Sequence, residues 1–225
     1  MKRTSLIAPI LAMGLGFALL VGGCSLKLPG QSEPPRIFSL SPKSSFDSLI
    51  GAVDWQLLIE RPSAGTEIDT QRIAVKRSPL ELLYFERALW TDTAPLMVQH
   101  LLVESFENSG KIIAVDQHIV GLRADYVLKS NLREMQIEYL DHLGDPSQPS
   151  DKPFARIALN AKLIKMPQRR IIDSRKFEYV IEAQNPSLSA SIEAFDDALG
   201  KIIKRLVPWV LETSERHWRE QRSRK

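Results

Sequence analysis

The chain has 225 residues, a formal net charge of +3, 44% hydrophobic residues and a single cysteine. That length suits one folded domain with a leader or tether rather than several domains. The small net charge gives no electrostatic case for nucleic acid, and one cysteine excludes a disulfide within the chain.

Lys2 and Arg3 form a positive start, and Leu6 to Val21 follows without charge. This is the layout of an export signal. Pro9, Gly14 and Gly16 interrupt the apolar run and Gly22-Gly23-Cys24 ends it, which leaves it marginal against the about 20 residues a stable bilayer helix needs. Val21-Gly22-Gly23-Cys24 resembles the lipobox of bacterial lipoproteins. The resemblance implies cleavage before Cys24, diacylglycerol on its thiol and acylation of its new amino group. One acyl chain holds a protein only reversibly, whereas several make a stable anchor. Ser25 stands where Asp would retain an enteric-type lipoprotein in the inner membrane, so that resemblance points to the periplasmic face of the outer membrane. Residues 1–23 are expected to be the signal peptide, and losing Lys2 and Arg3 takes the net charge from +3 to about +1.

Residues 24–35 carry Pro29, Gly30, Pro34 and Pro35 and read as an extended lipidated tether. The folded domain is expected over residues 36–215, beginning near Ile37. Val53, Trp55, Leu57 and Ile59 alternate with Asp54, Gln56 and Leu58 as in a half-buried strand, and Pro62 to Gly65 reads as the turn that ends it. Ile73 to Lys76 and Leu80 to Phe85 read as adjacent strands broken at Ser78-Pro79. Thr93 is placed to cap a helix opened by Ala94-Pro95. Val98, Leu101, Leu102, Ser105, Phe106 and Ser109 keep helical spacing, and Gly110 is placed to end it.

Ile112 to Val115 reads as a short buried strand and Ala124 to Leu132 as a longer one, with Tyr126, Leu128 and Leu132 on one face. Asp141 to Pro153, with three prolines, reads as a polar loop. Phe154 to Lys165 and Ile171 to Ala183 suit an antiparallel hairpin, with Ile157, Leu159, Ala161 and Leu163 facing one way, as do Phe177, Tyr179 and Ile181. Ile192, Phe195, Leu199, Ile202, Leu206 and Trp209 then trace one apolar stripe along a last helix, which Pro208 is expected to kink or break. The elements sum to an α+β class: a mainly antiparallel sheet with two helices packed on one face, one domain after a lipidated tether. Residues 216–225 form a basic tail, with Arg216, Arg219, Arg222, Arg224 and Lys225 around Trp218, read first as a solvated helix end and second as a contact for anionic headgroups or an acidic partner.

Catalytic signatures are absent from the sequence. His100, His118, His142 and His217 lack metal-ligand spacing, no serine sits in a Gly-x-Ser-x-Gly elbow, and no glycine-rich phosphate loop occurs. Glu193, Asp196 and Asp197 lie opposite the apolar stripe and read as a solvated face. No catalytic, metal or cofactor-binding residue is assigned; Cys24 is the one site residue.

Arg36-Ile37-Phe38-Ser39-Leu40, Leu83-Tyr84-Phe85 followed by Trp90, Pro95 opening Leu96-Met97-Val98-Gln99-His100-Leu101-Leu102, Ser109-Gly110 and Ala124-Asp125-Tyr126-Val127-Leu128 occur in that order. In order and spacing they are similar to the ABC-type transport auxiliary lipoprotein family, including the lipoprotein of the paraquat-inducible transport system. The resemblance implies a non-catalytic envelope component that docks an MCE-domain periplasmic protein, as a monomer or as a homo-oligomeric ring, in a lipid transport system. A lipid-binding carrier lipoprotein is the alternative.

Overall fold

Alternation of apolar and polar residues over the second half of the chain produces the three longest strands, which lie side by side in the sheet. The computed structural model describes residues 33–46, 51–78, 80–117, 123–139 and 152–223. Cys24, most of the tether and nearly all of the 141–153 loop lie outside them. In chain order the elements are β1 (Arg36–Phe38), β2 (Leu57–Ile59), β3 (Ser63–Ala64), β4 (Arg72–Ser78), β5 (Glu81–Trp90), α1 (Ala94–Asn108), β6 (Val115–Asp116), β7 (Tyr126–Glu138), β8 (Phe154–Lys165), β9 (Arg170–Glu182) and α2 (Leu188–Arg222).

β7 organises the sheet, which has nine strands among the described residues. Along one edge it pairs antiparallel with β8 over its whole length, and β8 pairs in turn with β9. Its other edge is shared in sequence by three parallel partners: β2 at Tyr126–Leu128, β3 at Asn131–Leu132 and β4 at Gln136–Glu138. β5 adds antiparallel to β4, and β1 adds parallel to β5. The long pairings are therefore antiparallel and the parallel ones short, so the expected α+β class holds, with both helices sharing one core with the sheet.

The residues expected to face inward do so. Ile157, Leu159, Ala161 and Leu163 of β8, Leu128 and Leu132 of β7 and the α2 stripe from Ile192 to Trp209 are buried in one continuous core. Two aromatic pairs link α2 and the sheet, Trp90 with Phe195 at 5.3 Å and Phe177 with Trp209 at 5.6 Å between ring centres, and Trp55 meets Tyr126 of β7 at 5.1 Å. The opposite face of the sheet is polar. There Arg156 binds Glu138 at 3.0 Å and Glu178 at 2.6 Å, and Gln136 donates to Glu138 at 2.8 Å. Burial works against the Arg156 charge, but the two carboxylates outweigh it and raise its pKa. Glu178 is lowered, first by its hydrogen bond from Lys176; burial opposes this, and the hydrogen bond and charge of Arg156 add to the lowering.

Several sequence readings need correction. The strand expected from Val53 is regular only over Leu57–Ile59, and Val53 makes an isolated bridge to Ile112; Val53, Trp55, Leu57 and Ile59 are buried as expected, but so is Leu58, expected in the outward phase. Residues 62–65 do not close a turn. Ser63–Ala64 pairs with β7 instead, and the turn follows over residues 66–68. β5 and β7 run on to Trp90 and Glu138, each through a register shift that the simple period does not anticipate. Ile113 is exposed, and the expected buried strand shrinks to Val115–Asp116.

α1 begins after Thr93, but the Thr93 side chain makes no cap; its Oγ1 accepts from Arg61 at 2.9 Å. Gly110 follows the helix end with φ +62°, a conformation that glycine adopts without strain. α2 does not break at Pro208. Lys204, whose carbonyl loses its amide donor, is exposed, so water can satisfy that oxygen, while Leu206, Val207, Trp209, Val210 and Leu211 keep the flanking turns packed. The helix continues to Arg222.

Candidate functional site

The parallel register of β2 with β7 and the return of α2 along the sheet bring five separate segments together at one end of the domain. Tyr126 opens β7, Lys165 ends β8 and Arg170 opens β9, while Ser214, Glu215, His217 and Trp218 lie on the last turns of α2. Trp55 precedes β2, and its Nε1 donates to Glu215 at 3.1 Å. The alternation of β8 carries Lys165 to the same side as Leu163 and Ala161, where it is buried. Its ammonium lies 4.5 Å from the Tyr126 ring centre, 4.7 Å from that of Trp218 and 3.6 Å from Asp125 Oδ1. Two aromatic faces and a carboxylate thus hold the buried cation.

The hydrogen bonds fix a direction. Arg170 Nη2 can only donate, and it lies 3.1 Å from His217 Nε2, so that nitrogen is the acceptor and Nδ1 carries the proton. Nδ1 then donates to the Tyr126 hydroxyl at 3.0 Å, and the hydroxyl donates to the Ser214 carbonyl at 3.1 Å. This relay requires neutral His217. Burial, then the charges of Arg170 and Lys165, lower the His217 pKa, with Glu220 opposing them. Burial, followed by Asp125 and Glu215, raises the Tyr126 pKa and keeps its hydroxyl protonated.

Two predictions follow from this geometry. A histidine whose folded pKa lies below its unfolded value stabilises the fold above that unfolded value, and the contribution is lost as pH falls through about 6.5 toward the lowered pKa. The urea midpoint of the native chain is therefore expected to fall between pH 7.5 and pH 5, and His217→Gln should flatten that part of the profile. Separately, Tyr126→Phe keeps the ring but leaves the Ser214 carbonyl and His217 Nδ1 without a partner. It should cost about 1–2 kcal/mol in chemical unfolding.

Other residues singled out in the sequence are not gathered here. Cys24, His118 and His142 lie outside the described residues, and His100 is exposed on α1. Asp197 pairs with Lys201 at 2.7 Å, the expected helical i, i+4 contact, and Asp196 accepts from the Ser41 amide at 2.6 Å. Among the described residues no group of three or more His, Cys, Asp or Glu side chains could hold a metal. Arg219 and Arg222 are exposed and pair with Glu215 at 2.6 Å and Asp54 at 3.4 Å. The site is chemically a rigid, positively edged end of the domain.

The family model for ABC-type transport auxiliary lipoprotein components matches residues 38–207. The chain belongs to this family. Like it, the crystal structure of a Xanthomonas campestris protein assigned to the DUF330 family model superposes with a TM-score of 0.74 at 32% identity, covering 82% of this chain and 99% of that one. A second crystal structure, of an uncharacterized protein, shares the fold with a TM-score of 0.60 at 11% identity, over 78% of this chain and 97% of that one. An uncharacterized protein of Bradyrhizobium diazoefficiens is 27% identical over 158 residues, 69% of this chain; the match spans 39% of that longer relative. The auxiliary-component match ends within α2, before Ser214, Glu215, His217 and Trp218. Trp55, Tyr126, Lys165 and Arg170 of the cluster thus lie inside the family region, and its α2 residues lie beyond it.

Proposed function

We propose that the chain is a non-catalytic, lipid-anchored component of an MCE/ABC-type envelope lipid transport system. Cys24 holds it at the periplasmic face of the outer membrane, and the folded domain docks the end of a periplasmic MCE-domain conduit, as one subunit or as a ring of copies. The observation that carries this reading is the opposition of the domain's two ends. The chain enters β1 beside the start of α2, where Arg36 Nη2 donates to Ser189 Oγ at 3.3 Å. The aromatic and lysine cluster lies at the other end of the same 35-residue helix, on the order of 50 Å away. A tether at one end leaves the basic end free to face the periplasm.

The interior supports docking over lipid carriage. Trp55, Trp90, Tyr126, Phe106 and Phe195 are all fully buried between sheet and helices, in the space an acyl chain would need. Affinity capture of the acylated full chain from envelopes, with lipid analysis of the purified protein, tests the reading. Recovery of an MCE-domain protein without stoichiometric phospholipid is expected. Reversing Arg216, Arg219 and Arg222 to Glu should lower that recovery about tenfold or more, most at low salt. Bound phospholipid with no MCE partner would instead favour a lipid carrier.

A further inference from the structure

The β4–β5 hairpin leaves the body of the domain at the end where the tether enters. β1 pairs parallel with the C-terminal end of β5, Arg36 beside Ala88 and Phe38 beside Trp90. Arg36, the first residue of β1, therefore lies on the side of Phe38 that is nearer the hairpin turn. From the pairing of Arg72 with Leu89 to that of Ser78 with Glu81, the hairpin extends about 20 Å. β4 stays paired with β7 over Ala74–Lys76, and β5 carries a bulge where its register with β4 shifts, with Arg87 at φ 52°.

The tip carries exposed leucines beside the polar Ser78 and the exposed Glu81. Leu80 is 99% exposed, Leu83 is 40% exposed, and Ile37 on the neighbouring edge strand is 64% exposed. Leu82 is half-buried beside them. Behind the leucines, the Arg77 guanidinium lies 5.6 Å from the Tyr139 ring centre and Lys76 pairs with Glu134 at 3.4 Å. Leucines ahead of an arginine and a tyrosine match the order from hydrocarbon to headgroup at a membrane surface.

We propose that this hairpin tip enters the headgroup boundary of the membrane that holds the chain, with Leu80 deepest. The inference rests on the lipid-anchor reading of Cys24. The twelve residues from Cys24 to Pro35 span at most about 40 Å when extended, so an acylated Cys24 keeps the hairpin end of the domain within reach of the bilayer. Lipid and hairpin together would fix the orientation of the domain, turning the His217 and Trp218 end away from the membrane.

Because the Cys24 thiol would be acylated, Leu80→Cys introduces the one reactive thiol, and its exposed position makes a folding defect unexpected. The acylated full chain carrying an environment-sensitive fluorophore there is mixed with vesicles of phosphatidylethanolamine and phosphatidylglycerol and floated. Expected are co-flotation, a blue-shifted emission and loss of quenching by aqueous iodide, while the same fluorophore at Lys162→Cys on the polar sheet face stays quenchable. Co-flotation with a fully quenchable label at position 80 would overturn the inference alone. Failure to float would overturn the anchor reading and the inference with it. Shielding that needs no vesicles and grows with protein concentration would assign the tip to a second copy of the chain and overturn membrane contact.

Discussion

Cys24→Ser is expected to remove the chain from the outer-membrane fraction and to abolish the acyl mass on its amino terminus, the largest functional effect of any single change considered. A hydroxyl cannot take the place of the thiolate in forming the thioether, and without that bond no diacylglycerol is carried. Each buried methylene contributes about 0.8 kcal/mol, so several chains hold the protein where one would release it. Among the described residues no helix is long and apolar enough to cross a membrane. Intact-mass measurement of the chain from washed envelopes checks the prediction: the native form should exceed the polypeptide from residue 24 by its lipid, and the variant should not. An unmodified native chain that still fractionates with the outer membrane would end the lipoprotein reading of Val21-Gly22-Gly23-Cys24.

Much of the fold is legible in the sequence because its largest elements are periodic. The β8–β9 hairpin follows from Ile157, Leu159, Ala161 and Leu163, and α2 from the stripe between Ile192 and Trp209; the hairpin is found as read, and the helix runs through Pro208 where a kink or break was expected. β2 and β3 are not legible as paired strands. Runs of three and two residues carry no period of their own, and they exist because β7 offers a free edge far along the chain. The far-end cluster is harder still, since Trp55 and its partner Glu215 are 160 positions apart. One signal for it was present. Lys165 continues the inward phase of Ala161 and Leu163, and a lysine on an apolar face announces a partner. His217, which lacks metal-ligand spacing, gave no such signal, because its partners Tyr126 and Arg170 come from strand ends remote in sequence.

Phe195 ties α2 to the β5 side of the sheet. β8 and β9 hold the later turns of α2 through Phe177 and Trp209, whose Nε1 also donates to Asp173 at 2.8 Å. The β1, β5 and α1 side is held at Phe195, which is fully buried and meets Trp90 edge to face at 5.3 Å. Phe195→Ala removes that contact and leaves a cavity that Trp90 on a paired strand cannot move to fill. It is expected to cost about 3–5 kcal/mol, read as a lower urea midpoint with unchanged slope and a fall in Tm of roughly 10 °C or more. Phe195→Leu, which keeps most of the volume, should lose less than about half of that. Equal losses in the two variants would mean that the edge-to-face contact with Trp90, rather than filled volume, ties α2 to the β5 side.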